Sequence, residues 1–326
     1  MKCLFSFFLL SLISTITSAN SEKCLPLDPK KLEAPVTKAM CFTTTFHSGS
    51  LGKKVEFDVI VPPGFTNKNS TLYPYAIFLH GRGGDKDSLA YTDGVEILND
   101  VVAKGAQPFL IFAPSGGNNY WMNGAISKVR TADMVTKDFV AHIEKAWPVY
   151  RNNPDMRALF GISMGGNGAL QLGLSNPKEF STVMSFSPVF RTPKEIWTPG
   201  SNSNEPKEDY YSYGVGKDFE ARSARHICQR LKKPGSDRCL PFKNYRLEMG
   251  STDAFLKTTP DTKLFIEELA KAHPEFEIGI KDCDQKAVCD THKDCNSHAG
   301  SYWVCRMPYA MTWISEQFKK DLPRSN

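Results

Sequence analysis

The sequence predicts an α/β architecture, a mostly parallel central sheet with helices on both faces. Three observations carry this. Short apolar runs of buried-strand character alternate with longer stretches of helical period. The runs are bounded by proline and glycine, as in "YPYAIFLHG" (residues 73–81) and "QPFLIFAPSGG" (107–117). A glycine-flanked serine, "GISMGG" (161–166), stands where one run ends and an alanine- and leucine-rich stretch begins.

Taken in order, "KKVEFDVIVPPGF" (53–65) reads as a strand closed by prolines, and residues 73–81 and 107–117 as buried strands. Residues 131–147 place Val135, Phe139, Ile143 and Trp147 on one helical face. "MRALFGIS" is a strand and "GNGALQLGL" a helix; "STVMSFSP" (181–188), "NYRLEMG" (244–250) and "EFEIGIKD" (275–282) continue the strands. Residues 260–273 and 308–322 continue the helices, each with a proline at its start. Two stretches interrupt the alternation: polar residues 191–243, and the cysteine-rich 283–305. With no internal repeat and no long linker, residues 20–326 form a single domain carrying these two excursions.

The first nineteen residues have Lys2, an apolar stretch from Cys3 to Ile16 and small residues at Thr17-Ser18-Ala19. That is the pattern of a secretory signal peptide, too short to span a bilayer. No other segment is long and apolar enough to cross one. Of the nine cysteines Cys3 leaves with the leader, and the eight that remain are an even set suited to disulfides in an oxidising compartment. Proximity in sequence suggests Cys24 with Cys41 and Cys228 with Cys239; Cys283, Cys289, Cys295 and Cys305 pair among themselves. Their wide spacing lacks the close pairs of zinc motifs, so no metal is expected. Asn69 begins an N-x-T sequon in a polar stretch, a glycosylation acceptor in a eukaryotic host. The net charge of +5 is mild and dispersed, which argues against a nucleic-acid partner. A secreted location follows; the oligomeric state is open.

Ser163 lies in Gly161-Ile162-Ser163-Met164-Gly165, between a strand and a helix, the context of a nucleophile elbow. A Walker-type phosphate loop would end in Gly-Lys-Ser/Thr, absent here. A serine hydroxyl needs a base, and at such an elbow the partners follow in the order serine, acid, histidine. Asp253, in "GSTDAFL" after a late strand, is the candidate acid, although a turn or cap role also fits it. His298 is the candidate base and His292 the second choice. His273 closes an amphipathic helix, where a cation suits the dipole, and reads as structural. "FLHGRGGD" (78–85) is a turn whose Arg82 amide, with that of Met164, is assigned to an oxyanion hole. Trp121, in a loop after a strand end, is the favoured substrate contact among the aromatics Trp197, Tyr210 and Tyr302.

The segments "FLHGRGG", "GISMGGNGAL", "GSTDAFL" and "H…YW" before the last helix resemble the esterase branch of the α/β-hydrolases, which includes esterase D or S-formylglutathione hydrolases, feruloyl esterases and mycolyltransferases. The resemblance runs from about residue 54 to the end. It implies the α/β-hydrolase fold and serine esterase or acyl-transfer activity without metal or organic cofactor. By position it implies Ser163 as nucleophile, Asp253 as orienting acid and His298 as base. One departure is that Ala299-Gly300-Ser301 separate His298 from Tyr302-Trp303. The leading expectation is a secreted carboxylic-ester hydrolase acting on small-molecule or carbohydrate-linked, feruloyl or acetyl esters. The alternatives are an acyltransferase moving an acyl group to a sugar alcohol, and a non-catalytic binding protein of the same fold.

Overall fold

A computed structural model describes residues 24–26, 35–68, 71–199 and 207–322. The leader and Asn69 lie outside the described residues.

Eight strands form one sheet in the order β1-β2-β4-β3-β5-β6-β7-β8. β1 (Met40–Ser48) and β2 (Lys53–Val61) make an antiparallel hairpin at one edge. From β3 (Tyr75–Leu79) and β4 (Leu110–Pro114) through β5 (Arg157–Ile162), β6 (Thr182–Phe186), β7 (Asn244–Met249) and β8 (Glu277–Ile280) all neighbours are parallel. This is the mostly parallel α/β-hydrolase architecture. β1 lacks a continuous apolar run, because three threonines interrupt it.

Side chains alternate across the sheet, as the pleat requires. Ile77, Leu79, Leu159 and Val183 face a core shared with Met134, Val135, Phe139 and Leu170. Ala76, Phe78, Phe160 and Met184 face the opposite core, closed by helix α1 (Gly94–Ala103) and by the last helix of the chain. The helical run over 131–146 contains a π-helical segment, Met134–Phe139, between two α-helical ends. Helix α2 (Met164–Ser175) follows Ser163 directly and is buried along nearly its whole length. Between β6 and β7 the excursion includes helix α3 (Lys207–Tyr213), and helix α4 (Pro260–Ala272) precedes β8.

One boundary differs from the sequence reading. The last helix, α5, runs Gly300–Asp321, and Pro308 lies inside it rather than at its start. Proline lacks the N–H that the preceding turn would receive, which is why it marks starts. Here the earlier turns are secured from outside: Cys305 is bonded to Cys283, and Tyr302 and Cys305 are fully buried. The Cys283–Cys305 excursion therefore ends in helix.

Because β3, β5, β6 and β7 are parallel and in register, their carboxyl ends share one edge of the sheet, and loops that follow those ends converge there. At that edge three chains come close. A Cβ on Gly161 or Gly165 would overlap the carbonyl of Leu79, and one on Gly166 would overlap that of Phe186. Gly165→Ala must push β3 and α2 apart. It is expected to cost about 3 kcal/mol of unfolding free energy, read by urea denaturation; unchanged stability would contradict this packing.

Candidate active site

Ser163 sits between the end of β5 and the start of α2 with φ 54° and ψ −117°, a conformation strained for a side-chain-bearing residue. Its amide donates to the Phe186 carbonyl at 2.9 Å and its carbonyl accepts from Asn167 at 3.1 Å, so backbone bonds on both sides hold the turn. The hydroxyl is thereby lifted off the sheet edge. Ser163 Oγ lies 2.7 Å from His298 Nε2, and His298 Nδ1 lies 2.8 Å from Asp253 Oδ2. With Nδ1–H donating to the carboxylate, Nε2 is left to accept from the serine.

Asp253 has no exposed surface, and its other oxygen accepts the Phe255 amide at 2.9 Å. The turn and capping role weighed from sequence and the contact to His298 thus use different oxygens of one carboxylate. His298 is held between Phe255 and Trp303, whose rings meet it edge-to-face at 4.6 and 5.3 Å. Its loop is pinned by Asn296. The side chain of Asn296 accepts the Cys283 amide at 2.7 Å, and its carbonyl accepts the Thr252 amide at 3.1 Å. Gly250 is required there, since a Cβ would overlap the Asn296 carbonyl. The structure bonds Cys283 to Cys305 and Cys289 to Cys295 around this loop, and elsewhere Cys24 to Cys41 and Cys228 to Cys239.

The turn after β3 runs alongside the serine; a Cβ on Gly81 would stand 3.4 Å from Ser163 Cβ. Arg82 and Met164 both line the cavity over Ser163, and among the described residues their amides meet no acceptor. His80 organises this turn from behind. Its Nδ1–H donates to the Gly81 carbonyl at 2.7 Å, and its Nε2 accepts the Gly116 amide at 3.0 Å. The Trp121 indole donates to the His80 carbonyl at 3.1 Å, and Gly83 donates to the Asn118 side chain at 2.7 Å. Burial holds the His80 imidazole below its ordinary pKa, in the neutral form this bonding needs.

The cavity has a volume of about 510 Å³. Its walls are largely apolar and aromatic, with Tyr91, Tyr120, Ile162, Val189, Phe255 and Trp303 among them. Trp121 is not, which corrects the expectation from sequence. Tyr120 and Trp121 both take positive φ, so their rings part: Tyr120 goes to the cavity and Trp121 into the interior. Gly116 and Gly168 leave the space that the indole fills, and Trp121 has no exposed surface. Tyr302 is also fully buried, bonded to the Lys281 carbonyl at 2.8 Å. Trp197 and Tyr210 pack on each other at 5.8 Å and stand outside the cavity lining.

His292 is exposed, its ring bonded within its own helix end. His273 is structural for a different reason from the one expected. It is fully buried and accepts the amides of Cys239 and Leu240 at 2.9 and 3.1 Å, with burial pushing its pKa down. It serves as a neutral acceptor, not as a cation on a helix dipole. Cys24, Cys41 and Asp58 also cluster, but both sulfurs are committed to the disulfide.

The model of the Esterase family, described as "Putative esterase", matches residues 48–272. Esterase Rv1288 of Mycobacterium tuberculosis is 29% identical over 146 residues, covering 44% of this chain and 31% of that protein. The chain thus matches under a third of that relative's length. A ferulic acid esterase structure superposes with TM-score 0.67 at 19% identity, covering 86% of this chain and 99% of that one. An S-formylglutathione hydrolase from Agrobacterium tumefaciens gives 0.66 at 16%, covering 87% and 97%. The fluorophosphonate-binding serine hydrolase F of Staphylococcus aureus gives 0.65 at 16%, covering 85% and 99%. At these identities the superpositions speak to the fold. Among the described residues no helix is long and apolar enough to cross a membrane.

His80 carries a pH dependence. Its folded pKa lies below the ordinary value, so the unfolded chain binds more protons as pH falls through about 6.5. Stability is therefore full above that pH and declines toward the lower folded pKa, with His273 contributing in the same sense. In denaturation at pH 7.5 and 5.5, His80→Gln is expected to show a smaller acid-side loss than the parent. An equal loss in both would contradict the role given to His80.

Proposed function

The chain belongs to the Esterase family, and from that premise we propose that it is a serine carboxylic-ester hydrolase working through Ser163, His298 and Asp253. The observation that supports this most is the continuous chain of hydrogen bonds, 2.7 and 2.8 Å, from the serine hydroxyl through the imidazole to a buried carboxylate.

Ser163 Oγ attacks the ester carbonyl carbon while His298 Nε2 takes the hydroxyl proton. Asp253 keeps the proton-bearing Nδ1 oriented and stabilises the imidazolium that forms. The carbonyl oxygen becomes an oxyanion and receives the amides of Arg82 and Met164, with the N-terminus of α2 adding a favourable dipole. Collapse of the intermediate breaks the bond to the alcohol oxygen, and His298 returns its proton to that alcohol. The acyl group now rests on Ser163. Water then attacks, His298 accepts its proton, and a second tetrahedral intermediate releases the acid and the free serine.

The aromatic lining supports an apolar or aryl group beside the scissile carbonyl. A feruloyl or similar aromatic acyl group fits that chemistry, and carbohydrate-linked alcohols are compatible with the open side of the cavity. The pattern at residues 1–19 and the four disulfides support a secreted enzyme.

Two outcomes test this. With p-nitrophenyl esters, Ser163→Ala is expected to lose about 10⁴-fold or more in kcat, and a fluorophosphonate should label the parent at Ser163 but not the variant. Turnover that survives in Ser163→Ala would move the chemistry elsewhere. The second concerns the bridged loop that carries His298. Opening Cys283–Cys305 and Cys289–Cys295 with mild reductant is expected to lower turnover about tenfold, by displacing His298, at concentrations where near-ultraviolet circular dichroism is unchanged. Simultaneous loss of activity and dichroism would refute that role for the bridges.

A further inference from the structure

Asp209 belongs to helix α3 of the excursion, has no exposed surface, and takes no part in the steps above. Its carboxylate is shared between walls of the cavity. Oδ1 accepts from the Arg82 guanidinium. Oδ2 lies 3.0 Å from Arg191 Nε and accepts the Tyr120 hydroxyl at 3.4 Å. The Tyr120 oxygen also accepts from Arg191 Nε, at 3.3 Å, and its ring lies 5.3 Å from the Arg82 guanidinium carbon. Arg82, Tyr120 and Arg191 come from the turns after β3, β4 and β6, and all three line the cavity. Arg191 in turn lies 5.8 Å over the Phe255 ring, which packs on His298.

A carboxylate this deep is retained only where charge and hydrogen bonds meet it. Two guanidiniums do so here. Glu208 also approaches Arg82, at 3.8 Å, but it is 54% exposed and water screens it. The turn that carries Arg82 has little stiffness of its own, since Gly81 precedes it and Gly83, at φ 76°, and Gly84 follow it. The Arg82 amide and guanidinium belong to one residue, so anchoring the side chain restrains the direction of the amide.

We propose that Asp209 is a positioning residue for the oxyanion hole. By clamping the Arg82 guanidinium it fixes the Arg82 amide toward the space over Ser163, and by holding Arg191 it ties the wall behind Phe255 to the same point. The excursion between β6 and β7 thereby contributes to the catalytic geometry. This rests on the esterase reading above.

The test compares the parent with Asp209→Asn, which keeps the shape and removes the charge. It also uses Arg82→Met, which keeps the amide and removes the guanidinium, and the double variant. Each single variant is expected to lose about 10- to 100-fold in kcat, the scale of a displaced catalytic group, with KM changed less than about threefold. Inhibition by an alkylboronic acid, whose serine adduct places an oxygen in the oxyanion position, should weaken by the same factor. The double variant should lose no more than Asp209→Asn alone, because removing the guanidinium adds nothing once the carboxylate that clamps it is gone. Additive losses, a rise in KM with kcat intact, or unchanged kcat in Arg82→Met would overturn the proposal. Arg82 is 28% exposed, so its variant keeps the test open if Asp209→Asn fails to fold. Deuterium exchange at residues 81–84, read without substrate, should quicken in both single variants, and unchanged exchange also overturns the clamp. A parent that hydrolyses no ester defeats the esterase reading, and the exchange measurement still decides the clamp.

Discussion

The backbone of β3 approaches the start of α2 so closely at Leu79 and Gly165 that no side chain fits between them. The rest of the site depends on this contact. It seats the helix against the sheet edge, which forces Ser163 into its positive-φ turn and turns its hydroxyl outward. It also brings the turn after β3 beside the serine. A looser approach would relieve the strain at Ser163 and draw the turn after β3 away from it. Backbone strain of this size persists only where the surrounding structure over-determines it. Here buried packing on both faces of the sheet and the bonds from Phe186 and Asn167 do so.

Around that contact, buried polar groups are paired across elements. Asp253 divides its oxygens between a local amide and His298. His80 divides its nitrogens between a carbonyl and an amide of a neighbouring loop. Glu248, one strand position from the end of β7, meets Arg246 and Arg306 in the same buried manner, locking α5 to the sheet near the His298 loop. Each of these groups has one partner far away in sequence: His298 for Asp253, Gly116 for His80 and Arg306 for Glu248. The sheet edge supplies positions, and these pairs supply orientation.

The strand–serine–helix element was legible in sequence because its requirements are local: an apolar run, glycines on either side, and a helix-forming stretch after them. Asp253 was legible through its place after a late strand, and His298 through chain order. The cavity was less so. The place of Trp121 in a loop after a strand end points to the substrate side, but two consecutive positive-φ residues and the space left by Gly116 and Gly168 send it inward and its neighbour Tyr120 outward. That outcome depends on contacts between distant segments. Pro308 lies inside the last helix for a related reason, since a disulfide and buried side chains carry the helix upstream of it. The role of His273 as a neutral acceptor needed the positions of Cys239 and Leu240. The clamp at Asp209 had no local sequence signature at all.

In the proposed reaction Ser163 and the amides of Arg82 and Met164 act on one carbonyl group. A crystal structure of the enzyme after reaction with an alkyl fluorophosphonate tests it most directly. Phosphorus is expected on Ser163 Oγ, with the phosphonyl oxygen about 3 Å from both amide nitrogens and the alkyl group among the aromatic side chains of the cavity. An adduct on another residue, or a phosphonyl oxygen turned away from both amides, would contradict it.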